Sequence, residues 1–362
     1  MAKSKLTQET FTEPLVAWYK ANERDFPWRS DPSPYRVWVS EIMLQQTRIE
    51  AALPYFERFM EALPTVRDLA EADEDVLLKL WEGLGYYSRV RNLQKAARQV
   101  MCNFDGKLPN RYDELLTLAG VGEYTAGAIA SIAFSQPVAA VDGNVLRVMA
   151  RMLNEDGDVM KPTVRKQLAT VVSTLVSQTD PGAFNQGIME LGETICLPNT
   201  MPHCDQCPVS DCCAVAGTER AAQLPTRVAA KAKKVEKRTV LTVITDEVTP
   251  RVLLHRRPAR GLLAAMWELP NVLTDETTAE EMCAKWGTPI LSKTQGPKGK
   301  HVFSHIEWLL NGVVIKTKPF LPPTDYVWAD REELSVYALP TAFRTYAQAL
   351  PDLLDIVEED VL

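Results

Sequence analysis

No apolar run in this chain approaches the ~18–20 residues that a membrane-spanning helix needs, so such a helix is not expected. A basic excess is missing too. Forty Lys and Arg stand against 47 Asp and Glu, and the net charge of −7 argues by itself mildly against nucleic-acid binding. Met1 to Thr12 are polar and mixed in charge, without the apolar stretch of a secretory signal. The expected compartment is therefore the cytoplasm of a cell without a nucleus, or an untargeted soluble pool. No internal repeat is visible, and no convincing strand precedes residue 238. Nor is this the composition of a disordered chain, since 46% of residues are hydrophobic and 24% charged. At 362 residues the chain exceeds one typical core, which implies two or three domains.

The charge that is present is unevenly placed. Arg227 to Arg238 holds six Lys or Arg and one Glu. After Pro351 come Asp352, Asp355, Glu358, Glu359 and Asp360 with no basic residue. A negative whole of this kind can still carry a positive groove.

From Leu6 to about Gly217, apolar residues recur at three- and four-residue spacing, the helical period. Pro34, Pro54, Pro64, Pro109, Pro162 and Pro181 fall at expected helix starts or loops. Between Gly217 and Arg238 the pattern fades into Ala, Lys, Pro and Thr, which reads as a solvated linker. Beyond it, Val240 to Ile244 is strand-like and Arg251 to His255 reads as its hairpin partner. Ile306–Leu310, Asn311-Gly312 and Val313–Ile315 read as a second hairpin, because Asn-Gly suits a type I′ turn. Thr277 to Trp286 and Thr341 to Leu350 read as helices. The expected fold is multidomain, an all-α region followed by an α+β domain.

Four constellations carry chemistry. In Leu118 to Gly127, the turn Gly120-Val121-Gly122 separates two helical runs, and its glycines permit a tight hairpin. The second helix would present free N–H groups and its positive dipole end to an anion such as a DNA phosphate. A plain packing corner would look the same. Asp142, in Val141-Asp142-Gly143-Asn144, is placed as a helix N-cap, or as a carboxylate facing a sugar beside that hairpin. Glu41 on a helix has Val37, Trp38, Leu44 and Gln45 as neighbours. Desolvation there would raise its pKa and keep it protonated as a general acid, whereas at a helix edge it would be an ordinary exposed Glu.

Cysteine supplies the fourth. Cys102 and Cys283 are isolated, but five others fall between Cys196 and Cys213. In an intracellular chain that spacing reads as metal binding before disulfides. Four thiolates suit either Zn²⁺ or a [4Fe–4S] cluster.

The order of these features, with Gly-Leu-Gly-Tyr-Tyr at 83–87 between them, resembles the endonuclease III superfamily of helix–hairpin–helix DNA glycosylases, and within it the MutY-type adenine glycosylases. The resemblance runs from about Trp18 to Cys213 and continues weakly beyond. It implies a [4Fe–4S] domain from 1–30 and 141–216, a six-helix domain at 31–140, a linker at 217–238 and a Nudix-like domain at 239–362. It also implies cluster ligands at Cys196, Cys204, Cys207 and Cys213. The family spacing is Cys-x6-Cys-x2-Cys-x5-Cys; here the first gap is seven residues, and Cys212 is an extra thiol.

The reaction follows from the same resemblance. Bifunctional superfamily members carry in the hairpin a Lys that forms a Schiff base, and here Tyr124 stands in its place. The implied enzyme removes a base and leaves the strand uncut. Glu41 would protonate adenine, Asp142 would stabilise the cationic sugar, and Tyr124 and Asn144 would position sugar and water. Adenine must first be flipped from the stack. Arg24, Trp28 and Gln186 match residues of the adenine pocket, and Gln46 and Tyr86 match residues that wedge into the opposite strand. Gly120, Val121 and Gly122 would grip the DNA backbone. Arg91, Lys95 and Arg98 share a helical face that is solvated or touches phosphate.

Trp267-Glu268-Leu269-Pro270 resembles the Nudix fold. The candidate metal helix has Glu280 and Glu281, but Ala284 and Lys285 stand where further acids would be expected. The resemblance therefore implies lesion recognition in place of hydrolysis, with Phe303, Ser304 and His305 reading 8-oxoguanine opposite adenine. The expected partner is double-stranded DNA bearing 8-oxoguanine:adenine or guanine:adenine mispairs. The protein would act as a monomer without a membrane, at the nucleoid of a bacterial cell. A glycosylase/lyase for oxidised pyrimidines is opposed by Tyr124 and by the added domain. A non-enzymatic iron–sulfur DNA-binding protein would leave Glu41 dispensable.

Overall fold

In the computed structural model, the structure describes residues 5–226 and 232–355. The run Ala229-Ala230-Lys231 and the acidic Glu358, Glu359 and Asp360 lie outside the described residues. The described chain falls into two compact units. One holds the residues up to Glu71 and from Ser88 to Thr226; the other holds Ala72–Tyr87 and the residues from 232 onward.

The first unit is helical. Its main helices are α1 (Glu13–Asn22), α2 (Pro34–Leu44), α3 (Ser88–Asn103), α4 (Glu123–Phe134), α5 (Gly143–Leu153), α6 (Pro162–Leu175) and α7 (Pro181–Thr194). Pro34, Pro162 and Pro181 open α2, α6 and α7, where a missing N–H costs nothing. Pro54 departs from the expected pattern, because the helix Ile49–Ala62 runs straight through it. Glu50, whose carbonyl would have accepted the absent N–H, is exposed, so water can serve it. α5 is fastened at both ends: Asp142 caps its start, and Asn154 adopts a left-handed φ of 53° at its end. Phe11, Leu15, Met149, Leu168, Phe184 and Ile188 form one buried core joining α1 to α5, α6 and α7.

Of the stretch 217–238, Ala221 and Leu224 are buried in this same core, and the first strand of the second unit already starts at Lys234. The helical face of Arg91, Lys95 and Arg98 is partly used within the unit, since Arg98 Nε donates to the Ala70 carbonyl at 2.9 Å.

The second unit contains a mixed sheet of β1 (Lys234–Thr245), β2 (Val252–Arg256), β3 (Trp267–Glu268), β4 (Asn271–Leu273), β5 (Ile290–Val302), β6 (Ile306–Thr317) and β7 (Tyr326–Ala329). Its order is β3-β2-β1-β6-β5, with β4 also on β1 and β7 also on β2. The expected β1–β2 hairpin is present, with Ile244 opposite Val252. Helix α8 (Ala279–Trp286) packs through Ala279 and Cys283 on one face of the sheet.

The second expected hairpin is corrected. Asn311-Gly312 is not a turn, because β6 runs unbroken through it, pairing Asn311 with Thr239 and Gly312 with Val240. Gly312 is there for close approach. It lies opposite the irregularity between Gln295 and Lys298, where an added Cβ would sit 2.6 Å from the Pro297 carbonyl oxygen and 2.8 Å from the Tyr346 ring. The real turn is Ser304-His305, closed by Phe303 N–H donating to the Ile306 carbonyl at 2.8 Å. Its other arm, β5, gave no strand signal because it is a mostly exposed edge rich in Lys, Gly and Pro.

Candidate active site

Within the first unit a cleft of about 700 Å³ brings Arg24, Trp28, Glu41, Gln46, Tyr124, Asp142, Asn144 and Gln186 to one wall-to-wall site. α2 carries Glu41 inward and buries it to 7% exposure. The C-terminal end of α2 is held by Arg89, whose Nη1 donates to the carbonyls of Ile42 and Met43 at 2.9 Å and of Gln45 at 2.6 Å. The helix then breaks at Gln46, which takes a left-handed φ of 58° and leaves its side chain exposed.

Tyr124 stands on the first turn of α4 and donates its hydroxyl to Glu41 Oε2 at 2.7 Å. Burial pushes the Glu41 carboxyl up from 4.5 to about 7; the Tyr124 hydrogen bond and Arg29 oppose this, and the negative charges of Asp142 and Glu193 add to it. Burial, then the neighbouring carboxyls of Glu41 and Asp142, hold the Tyr124 hydroxyl well above its ordinary value, so it stays a donor.

Asp142 caps α5 and also lines the cleft. Its Oδ1 accepts from Val145 N–H at 2.8 Å as the cap of α5, while Oδ2 faces the cleft and accepts from Asn144 Nδ2 at 2.9 Å. Burial raises its pKa, against the hydrogen bonds from Val145 and Asn144 and the charge of Arg147.

Behind Asp142 runs a chain of contacts. Arg147, 4% exposed, donates from Nη2 to Asn144 Oδ1 at 2.9 Å and to the Gly192 carbonyl at 2.7 Å, and from Nε to the Cys196 carbonyl at 2.9 Å. The cysteine loop is thereby tied to the carboxylate of the cleft.

Arg24 is shared between two acids of α7. Its Nε pairs with Glu190 Oε1, and its Nη2 donates to Glu193 Oε2 at 2.7 Å. Arg29 Nη2 donates to Glu190 Oε2 at 2.7 Å. Trp28 is buried between Phe26, stacked at 5.2 Å, and Phe56, edge-on at 5.0 Å, so it packs and lines the cleft at once.

Arg29, Arg147, Glu190 and Glu193 also line this cleft and were not singled out from the sequence. A signal existed for the two acids. Gln186, Glu190 and Glu193 fall at i, i+4 and i+7 on α7, one polar stripe on an otherwise buried helix.

The hairpin is built as its glycines require. Gly120 has φ of 75°, and Gly122 caps α4 with nothing within 4 Å of where its Cβ would be. Val121 is buried beneath the turn, its N–H donating to the Leu118 carbonyl at 3.1 Å. An open groove of about 630 Å³ runs past Gly120, Gly122, Asp142, Gly143 and Arg165, so the N-termini of α4 and α5 face it together with one cation.

Cys196, Cys204, Cys207 and Cys213 line one narrow cavity under α5 and α7. Cys212 points elsewhere, its thiol donating towards the carbonyls of Thr10 at 3.4 Å and Val209 at 3.3 Å. Burial, reinforced by Cys196, Cys213 and Cys204, pushes the Cys207 thiol up to about 12. Arg151 Nη1 lies 3.2 Å from Cys196 Sγ. Among the described residues no group of three or more His, Cys, Asp and Glu side chains is arranged to hold a single ion; the four sulfur-bearing residues line that cavity.

The remaining sequence candidates belong to the second unit. Tyr86 is half exposed at a left-handed φ of 48°. Ser304 and His305 are exposed at the β5–β6 turn, while Phe303 packs edge-on against Trp308 at 4.8 Å. The two acids of α8 have local tasks: Glu281 forms a capping box with Thr278, and Glu280 pairs with Lys293 at 2.5 Å.

The chain has relatives among known proteins. The model of the HhH-GPD superfamily of base excision DNA repair proteins matches residues 39–174, and that of the NUDIX domain matches 239–349. The adenine DNA glycosylase of Rattus norvegicus is 34% identical, over 93% of this chain and 78% of the rat protein. That of Buchnera aphidicola subsp. Baizongia pistaciae is 28% identical, over 93% of this chain and 95% of its own length. The solved structure of a thermostable thymine-DNA glycosylase is similar with a TM-score of 0.52 and 28% identity, covering 57% of this chain and 95% of that one.

Proposed function

This chain belongs to the adenine DNA glycosylases, enzymes of base excision repair, and from that premise we propose that it is a monofunctional hydrolase excising adenine opposite 8-oxoguanine and guanine. The observation that carries the reading is the pair Glu41–Tyr124. A buried carboxyl raised to about 7 is a proton donor near neutrality, and the group touching it is a tyrosine hydroxyl, which forms no Schiff base.

Adenine flips from the duplex into the cleft lined by Trp28, Arg24 and Gln186. Glu41 gives its proton to the base. The C1′–N9 bond breaks and its electron pair leaves with adenine. Asp142, held by Val145 N–H and Asn144, faces the oxocarbenium-like sugar that results. Water adds to C1′ and passes its proton to the Glu41 carboxylate left by the first transfer, with Tyr124 and Asn144 positioning sugar and water. The groove at Gly120, Val121 and Gly122 grips the backbone through helix N-termini. Gln46 and Tyr86 wedge into the opposite strand; their left-handed backbones are the kind of local strain found at contact loops.

Cys196, Cys204, Cys207 and Cys213 fit a [4Fe–4S] cluster better than one Zn²⁺. A single zinc draws all its sulfurs to ~2.3 Å from one point, whereas these four surround a cavity, with Arg151 beside one of them to balance thiolate charge. When bound, the cluster supplies a cross-link that fixes the loop on which Arg147 is anchored. Phe303, Ser304 and His305 read the Hoogsteen edge of 8-oxoguanine. Support comes from a turn that is exposed yet braced, with Lys233 Nζ donating to the Phe303 carbonyl at 2.8 Å. The protein acts as a monomer on DNA, at the nucleoid of a bacterial cell.

The test is single-turnover release of adenine from a labelled 8-oxoguanine:adenine duplex, with and without alkali. Strand breaks that appear only after alkali are expected. Breaks without alkali, or no adenine release, refute the reading.

A further inference from the structure

We infer that Glu193 is a positioning residue of this reaction, locking Arg24 across the cleft and keeping Glu41 in its acid form. The inference rests on the proposed function, in which Glu41 is the proton donor.

Two features of the cleft lead to it. First, Arg24 is the cation on the wall that also carries Glu190 and Glu193, and it is held by both. Glu190 is 3% exposed and already shared with Arg29, whereas Glu193 is about a third exposed and takes the outer Nη2 of Arg24. Without Glu193, Arg24 keeps Glu190 on its Nε edge and Glu50 at 3.7 Å from Nη1, but its outer Nη2 loses the acceptor that fixes it. Second, Glu193 adds a negative charge to the surroundings of Glu41. The charged and titratable groups facing Glu41 are Tyr124 from α4, Asp142 from the start of α5, Arg29 from the turn before α2, and Glu193 from α7. Arg24, Arg48, Glu50, Arg147 and Glu190 line the same cleft.

The signs agree. A like charge disfavours ionisation of Glu41, so Glu193 raises its proton affinity; a loosened Arg24 would lower it. Both changes on losing Glu193 push Glu41 towards premature ionisation. Burial likewise raises Glu193, and the hydrogen bond and charge of Arg24 oppose that, so the ion pair favours the charged form of Glu193. The two therefore act as a unit.

The experiment uses the full-length, cluster-containing protein and an 8-oxoguanine:adenine duplex. Single-turnover excision is followed across neutral pH for wild type, Glu193→Gln, Glu193→Asp and Glu41→Gln. Glu193→Gln keeps the shape and removes the charge. Its alkaline midpoint should fall by about half a pH unit, so the ratio of rates at about pH 8.5 and about pH 6 drops about threefold. Glu193→Asp should restore most of that ratio. A midpoint identical to wild type overturns the inference, as does a rate loss that is uniform at every pH, which a binding contact or a structural brace would produce. Glu41→Gln separates the two levels. If it excises adenine at the wild-type rate, the proposed mechanism itself fails. If it is inactive and Glu193→Gln leaves the midpoint in place, only the role of Glu193 is lost.

Discussion

Arg147→Ala should damage stability and catalysis together, because one guanidinium serves both. Its removal leaves the Gly192 carbonyl and the Oδ1 of Asn144 without that donor, while the Cys196 carbonyl keeps Arg151 Nη1 at 3.0 Å, in a region where the arginine is 4% exposed. An orphaned buried acceptor costs about 1–3 kcal/mol, and water entering the vacated space relieves part of it, so about 3 kcal/mol in total is expected. For a unit of this size that lowers Tm by roughly 6–12 °C. Asn144 then loses the contact that orients its side chain, and Asp142 keeps its backbone bonds from Val145 and Asn144 but an unbraced side-chain amide. Single-turnover excision should fall at least about 10-fold at a temperature where the variant is folded. Arg147→Lys, with one point donor in place of a fork, should be intermediate in both respects. Thermal unfolding followed by circular dichroism, and excision followed on a gel, check the two halves. A variant that melts as expected yet excises within about twofold of wild type would reduce Arg147 to a brace and refute the link to Asp142.

Five further outcomes are expected. Excision by wild type should decline as pH rises through about 7, where Glu41 loses its proton, and Glu41→Gln should lower the rate by ~10²–10⁴. Because the folded-state value lies above the ordinary 4.5, Glu41 contributes stability at low pH that is lost as pH rises through about 7; Glu41→Gln should thus be the more stable protein on the alkaline side in thermal melts. Borohydride trapping should be weak, since Tyr124 forms no imine, and efficient trapping through a residue essential for turnover would overturn monofunctional chemistry. Iron and sulfide analysis should find a cluster that Cys196→Ser, Cys204→Ser, Cys207→Ser or Cys213→Ser depletes, while Cys212→Ser, which faces Thr10 and Val209, leaves it loaded. Ser304→Ala with His305→Ala should cut the preference for 8-oxoguanine:adenine over guanine:adenine by about 1–3 kcal/mol in binding assays, and equal losses on both duplexes would refute lesion reading.

Much of this protein was legible in its sequence because the relevant physics is local. Helical period, prolines at first turns, the Gly120-Val121-Gly122 hairpin and the capping position of Asp142 each depend on residues a few places apart, and so does the spacing of four cysteines around one loop. The order of those features along the chain also sufficed to indicate the family. Local rules failed where a distant partner outweighed them. Asn311-Gly312 satisfies every local demand of a turn, but β1 and the irregularity in β5 hold it as strand, and Gly312 is required because Pro297 and Tyr346 press on it. Pro54 is tolerated inside a helix because the carbonyl it deprives belongs to an exposed residue. What only the tertiary structure decided is electrostatic. Whether Glu41 is an exposed edge residue or a buried acid depends on Tyr124, Asp142, Arg29 and Glu193, which lie 12 to 152 residues away in the chain yet converge on one cleft. A pKa is set by burial and by charges close in space, and sequence distance carries almost no information about either.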